Sequence, residues 1–190
     1  GRALLAKRET PAAIAQLRKA VELDPATAEN HLFLGDALDR SGALPEAAEA
    51  YRAAAAADAR SPEPHERIGA LYAANGRCEE AVAPYERAIA LAPRVSRLRI
   101  ALGDCKAKLG KNDEAAKIFR DVLRAEPRAV QVLYRMARAL HESESARAAL
   151  PWYERAAREE AENPMPHYYL GYLYKEKGQR AKAVQEFRRY

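Results

Sequence analysis

The chain has 190 residues, of which 48 % are hydrophobic and 31 % charged, with a formal net charge of +5. No apolar run approaches the ~20 residues that cross a bilayer, and the composition excludes a disordered or low-complexity chain. Cys78 and Cys105, the only cysteines, form neither a disulfide framework nor a metal motif, and read as plain small residues, Cys105 partly buried.

In chain order, residues 1–7 read as the tail of a helix and Pro11–Asp24 as its partner, with Glu9-Thr10-Pro11 supplying a cap and a first-turn proline. Four whole units follow, 28–61, 62–95, 96–129 and 130–163. Their first helices are predicted near 29–41, 63–75, 97–109 and 131–143, and their second helices near 45–58, 79–92, 113–126 and 147–160. A last partial unit, 164–190, holds helices near 165–177 and 181–190, and residues 1–27 form a first partial unit. The chain opens in mid-helix and closes before its last helix is complete, which reads as a piece of a longer protein.

The stretch Pro62–Val95 is the ruler for this register. Apolar residues recur at helical spacing, Asn75-Gly76 separates two helices, and Pro93 follows the second. Stepping by 34 residues, Gly69 falls on Gly1, Gly35, Gly103, Ala137 and Gly171. Gly76 falls on Arg8, Gly42, Gly110, Glu144 and Gly178, and Ala81 on an alanine every time. Tyr85 falls on Leu17, Tyr51, Phe119, Tyr153 and Phe187. Small residues let two helix backbones approach, and the aromatic series fills the space they leave. Unit 130–163 is irregular: it lacks both glycines, and Pro151 lies a turn into its second helix, as Pro84 does two units earlier. Trp152, beside Pro151, is a contact residue if exposed and filler if packed.

This period, with its order of small, small, aromatic, small and proline, resembles the tetratricopeptide (TPR) repeat along the whole chain. The resemblance implies an all-α, right-handed superhelical solenoid of antiparallel helix pairs, one continuous array over 1–190. It also implies a concave groove lined by the first helices, where partners dock. The groove positions begin acidic, with Glu29, Asp36, Glu63 and Glu66, and end basic and aromatic. Residues 1–95 hold 12 basic and 14 acidic residues, net −2, and the remainder 20 and 13, net +7. Some TPR domains clamp an acidic chaperone tail with lysines and asparagines; the matching places here hold Leu32, Asp36, Glu63, Arg67 and Ile100, which argues against that role.

The candidate partner-binding residues are Tyr134, Arg135, Arg138, Tyr168, Tyr169 and Tyr172, since tyrosine and arginine are enriched at interface hot spots. The competing reading packs Tyr168 and Tyr169 between the last helices. His31, His65 and His167 recur at one repeat position, a regularity that argues for packing over metal ligation, while His141 stands alone. No phosphate loop, HExxH or placed nucleophile is present, so no enzyme activity, cofactor or metal is expected.

The reading is a protein-interaction scaffold whose partner carries acidic and apolar residues, located in the cytoplasm. The closing stretch, PHYYLGYLYKEKGQRAKAVQEFRRY, is similar to the ends of TPR modules in large myxobacterial proteins, and the alanine and arginine usage fits a high-GC bacterium. That similarity implies an envelope, motility or polarity complex with a small Ras-like GTPase. The alternatives are a nucleic-acid-binding helical repeat, favoured by the basic half but opposed by interspersed acidic residues, and a spacer associating end to end.

Overall fold

The computed structural model describes residues 10–160 and 162–190; the helix predicted over 1–7 lies outside the described residues. The chain divides into two compact units, residues 1–98 and 99–190. In the first lie α1 (Thr10–Leu23), α2 (Ala28–Arg40), α3 (Leu44–Ala57), α4 (Glu63–Ala74) and α5 (Cys78–Leu91). The boundary falls inside α6 (Ser96–Lys108). The second unit continues with α7 (Asn112–Ala125), a 3-10 turn (Val130–Val132), α8 (Leu133–Ser143), α9 (Ala146–Glu159), α10 (Met165–Glu176) and α11 (Arg180–Arg189). Among the described residues every regular element is helical, and each predicted helix end agrees with an observed one to within two residues.

The turns follow from one recurring hydrogen bond. The backbone N–H groups of Ala43, Arg77, Lys111, Ser145 and Gln179 each donate to the carbonyl five residues earlier, at 2.8–3.0 Å. That bond closes a helix when the residue before the donor is left-handed, a conformation that glycine adopts without strain. Gly42, Gly76, Gly110 and Gly178 have φ of 79°, 74°, 74° and 70°. The irregular repeat keeps the bond with Glu144 at φ −110°. Its next helix gains a side-chain cap instead, Ser145 Oγ accepting from the Ala148 N–H at 3.1 Å.

Helix pairing rests on the small-against-aromatic contacts. A methyl group at Gly35, Gly69, Gly103 or Gly171 would meet the ring of Tyr51, Tyr85, Phe119 or Phe187 at 2.4–2.7 Å. The recurring alanine, at Ala13, Ala47, Ala81, Ala115 and Ala149, is fully buried. Leu38, Tyr51, Ile68 and Leu71 form the centre of the first unit's core. Phe119, Leu133, Met136, Tyr153 and Leu170 do so in the second, with Trp152 half-buried against them, so the tryptophan is largely packing. Cys78 and Cys105 are both buried, Cys105 more completely than its partly buried expectation.

Candidate functional site

Helix α8 carries Tyr134, Arg135 and Arg138, and α10 carries Tyr168, Tyr169 and Tyr172. Residues three or four apart share a helix face. Both sets lie in the second unit, and the structure links them through one ring: Tyr169 is 6.1 Å from Tyr134 and 5.4 Å from Tyr168, centroid to centroid.

Tyr134 is half-buried, and its backbone N–H donates to Glu160 Oε1 at 2.8 Å. Its pKa is pushed up to about 12, mainly by burial, with Tyr169 adding to the shift and the Arg138 charge opposing it. Arg138 is exposed beside it. The two residues sit on a cleft of about 630 Å³ whose walls include Asp104, Arg135, Glu142 and Asn163. Phe119 and Ala139 supply apolar floor. This mixture offers donors, acceptors and apolar surface to an extended chain, the combination that small binding clefts use.

Arg135 has another task. Its Nε donates to Asp104 Oδ1 and Oδ2 at 2.9 and 3.1 Å, and Nη1 bonds the Gln131 carbonyl. Burial raises the pKa of Asp104, and the Arg135 charge acts against that shift. The pair belongs to a pattern that runs out of phase with the 34-residue period. Asp36 with Arg67 (3.4 Å) and Glu66 with Arg97 (2.8 Å) join residues at the same 31-residue separation in the first unit. The carboxylate of one repeat thus meets the arginine of the next, and part of the predicted acidic surface is paired. A spacing of 31, three short of the repeat, is the signal that could have revealed it.

Tyr169 is likewise engaged. Its ring stacks on Tyr153 at 5.0 Å with the planes 5° apart, and His141 packs edge-on to both at 6.0 Å. His141, outside the histidine position of the repeat, belongs to this aromatic cluster. Tyr168 and Tyr172 form the outer part, 4.8 Å apart. Their mutual hydrogen bond is the main cause of the raised pKa of Tyr168. Tyr190 and Phe187 extend this cluster, at 5.2 Å from Tyr168 and from Tyr172 respectively.

The three equivalent histidines have different surroundings. His31 Nε2 lies 2.8 Å from the Pro25 carbonyl, and His167 Nδ1 lies 2.6 Å from Glu186 Oε2. Burial and, less strongly, Arg87 lower the pKa of His65. Among the described residues no group of three or more His, Cys, Asp or Glu side chains could hold a metal ion. No described helix is long and apolar enough to cross a membrane.

Comparison with known proteins assigns the architecture. A tetratricopeptide repeat model matches residues 1–62, 67–129 and 100–164, and a second tetratricopeptide repeat model matches residues 167–190. Among solved structures, pilF of Pseudomonas aeruginosa has a TM-score of 0.76 at 27 % identity, covering 98 % of this chain and 85 % of that one. MamA of Desulfovibrio magneticus RS-1 has a TM-score of 0.76 at 21 % identity, over 84 % and 90 %. YrrB, a TPR protein with an unusual peptide-binding site, has a TM-score of 0.74 at 18 % identity, over 91 % and 89 %. The likeness to MamA and YrrB speaks to fold alone. A comparison with curated protein sequences gives no match.

Proposed function

Because this chain belongs to the tetratricopeptide repeat family, we propose that it is a non-catalytic scaffold that docks a partner protein on the α8–α10 face of its second unit. The observation that carries this reading is the exposed Arg138 guanidinium beside the Tyr134 hydroxyl, on the rim of a cleft of about 630 Å³. An exposed arginine next to a half-buried tyrosine suits a carboxylate, and the apolar floor suits an adjoining apolar side chain. The docked element is then a segment or surface with acidic and apolar residues. Tyr168 and Tyr172 extend the contact, while Arg135 and Tyr169 hold the surface in shape. The peptide-binding site of YrrB, on the same fold, is consistent with such a use. A cytoplasmic envelope, motility or polarity complex with a small Ras-like GTPase is the setting suggested by the closing stretch.

The test is recovery of the partner from native lysate, followed by calorimetry with Arg138→Ala and Tyr172→Ala. Each substitution is expected to weaken binding by about 2 kcal/mol with helicity retained. Unchanged affinity in both would move the interface elsewhere. A sequence-selective nucleic-acid complex that survives physiological salt in an anisotropy assay would favour the nucleic-acid reading.

A further inference from the structure

The last hairpin holds a carboxylate between a histidine and an arginine. Glu186 on α11 presents Oε2 to His167 Nδ1 at 2.6 Å and Oε1 to Arg189 Nη1 at 3.7 Å, and the carboxylate and imidazole are both largely buried. Three steps of 34 residues earlier, His167, Glu186 and Arg189 fall on His65, Pro84 and Arg87. Repeat 62–95 therefore keeps the histidine and the arginine and has a proline where the acid stands. Repeat 28–61 has His31 at the same place but Ala50 and Ala53 at the other two, so it keeps neither partner.

Space and charge follow from that exchange. A pyrrolidine ring ends short of where a glutamate carboxylate reaches. Pro84 lies in a surface depression of about 560 Å³ together with His65 and Arg87, and Ala55, Ile68 and Ala83 give it apolar walls. Three consecutive helices of the first unit, α3, α4 and α5, supply the lining, so the depression is not an end of the array. Its other polar groups are already engaged. Arg52 is bonded to Glu49 and donates to the Tyr72 hydroxyl at 3.0 Å, and Glu80 is held by Arg77 at 2.7 Å. The charge that acts on the half-buried His65 ring is that of the exposed Arg87. A cation and a protonatable ring thus stand together without the acid that joins their equivalents, an arrangement that a carboxylate from outside relieves.

We propose that this depression takes the side-chain carboxylate of an acidic segment of a partner protein, seated between His65 and Arg87 as Glu186 is seated between His167 and Arg189. An apolar neighbour of that residue packs on Ile68 and Pro84. The apolar walls favour a protein segment over a free anion. Protonation of His65 strengthens the contact, so binding tightens towards acid pH. The proposal does not rest on the α8–α10 face: none of these residues lines that cleft.

Proton NMR of the whole chain tests it, following the His65 ring signals identified by their loss in His65→Gln. The probes are the blocked pentapeptide Ala-Leu-Glu-Leu-Ala and its counterpart with Gln in place of Glu. In saturating Glu peptide the His65 midpoint is expected to rise by about one pH unit, the shift that a tenfold preference for the charged ring produces. The Gln peptide should leave it in place. Arg87→Gln should weaken the Glu peptide about fivefold or more. Pro84→Glu supplies the acid from within, so the midpoint should rise with no peptide present and peptide affinity should fall about tenfold. Pro84→Gln, which removes the proline and adds no charge, should not raise the midpoint. A midpoint unmoved by Pro84→Glu, or equal shifts with the two peptides, would overturn the proposal. So would Glu-peptide binding that ignores Arg87→Gln, or that is lost with Arg138→Ala alone, which places the peptide in the cleft. Inorganic phosphate giving the same shift at the same concentration would make this a general anion site and likewise overturn it.

Discussion

Tyr153 and Tyr169 lie face to face, centroids 5.0 Å apart and planes 5° from parallel, and this stack joins the last two hairpins. Tyr153 is fully buried, and Tyr169 covers one face of its ring. Truncating a large packed aromatic removes both its buried area and the aromatic pairing. Tyr169→Ala is therefore expected to destabilise the protein by about 3 kcal/mol, read from the urea midpoint. Tyr172→Ala, at a side chain 45 % exposed, should cost about 1 kcal/mol or less. Equal losses for the two would show that the stack contributes no more than the surface ring.

The two glycine series are expected to fail for different reasons. A Cβ at Gly103 meets the Phe119 ring at 2.6 Å, so Gly103→Ala forces the pair apart at roughly 1–3 kcal/mol, partly offset by better helix propensity. A Cβ at Gly76 meets nothing within 4 Å, but φ is +74° there, and Gly76→Ala carries about 1–2 kcal/mol of backbone strain alone. Phe119→Leu should recover part of the Gly103→Ala loss, and no core substitution should relieve Gly76→Ala. Chemical denaturation of the single and double variants separates the two cases; failure of the Phe119→Leu rescue would refute the steric account.

What the sequence made legible is the part governed by backbone periodicity. The 34-residue step located the helices, the left-handed glycines and the rings they receive, because each is imposed by the main chain or by close helix approach. The start of unit 130–163 was less legible: a 3-10 turn at Val130–Val132 precedes α8, where a helix from 131 was expected. Within the candidate site, the periodicity placed Tyr134 with Arg138 and Tyr168 with Tyr172, but not the engagement of Arg135 and Tyr169. Those depend on which residue of the neighbouring helix stands opposite and on the rotamer chosen. The pairing of Asp104 with Arg135 crosses from one repeat to the next, three positions out of phase, and so escapes a comparison made in phase.

That ion pair is expected to contribute little to stability. Both side chains are 39 % exposed, and exposed pairs are screened by solvent and salt. A double-mutant cycle with Asp104→Ala and Arg135→Ala should give a coupling of about 0.2–1 kcal/mol, smaller at high salt. The pH dependence has a definite sign. The folded-state pKa of Asp104 is raised above 3.8 by burial, so its protonated form favours folding below 3.8 and that contribution is lost as pH rises through the folded value. Asp104→Asn should remove this component, so that stability at acid pH falls further relative to neutral pH than in the wild type. An unchanged curve in urea melts across that range would refute it.

His65 provides the opposite sign. It is half-buried on α4 and shares a surface depression with Arg52, Tyr72, Glu80 and Arg87. Burial, and secondarily the Arg87 charge, hold its pKa below 6.5. Above pH 6.5 the ring is neutral whether the chain is folded or unfolded, and it contributes no pH dependence. As pH falls below 6.5, the unfolded chain takes up the proton first, so stability declines until the folded-state pKa is passed and then levels off. His65→Gln should remove this component of the decline. In an NMR titration the His65 ring protons should show a midpoint below 6.5, and Arg87→Gln should raise it, since a repelling cation is gone. A wild-type midpoint at or above 6.5 would refute the assignment. A lowered midpoint that ignores Arg87→Gln would leave burial as the sole cause.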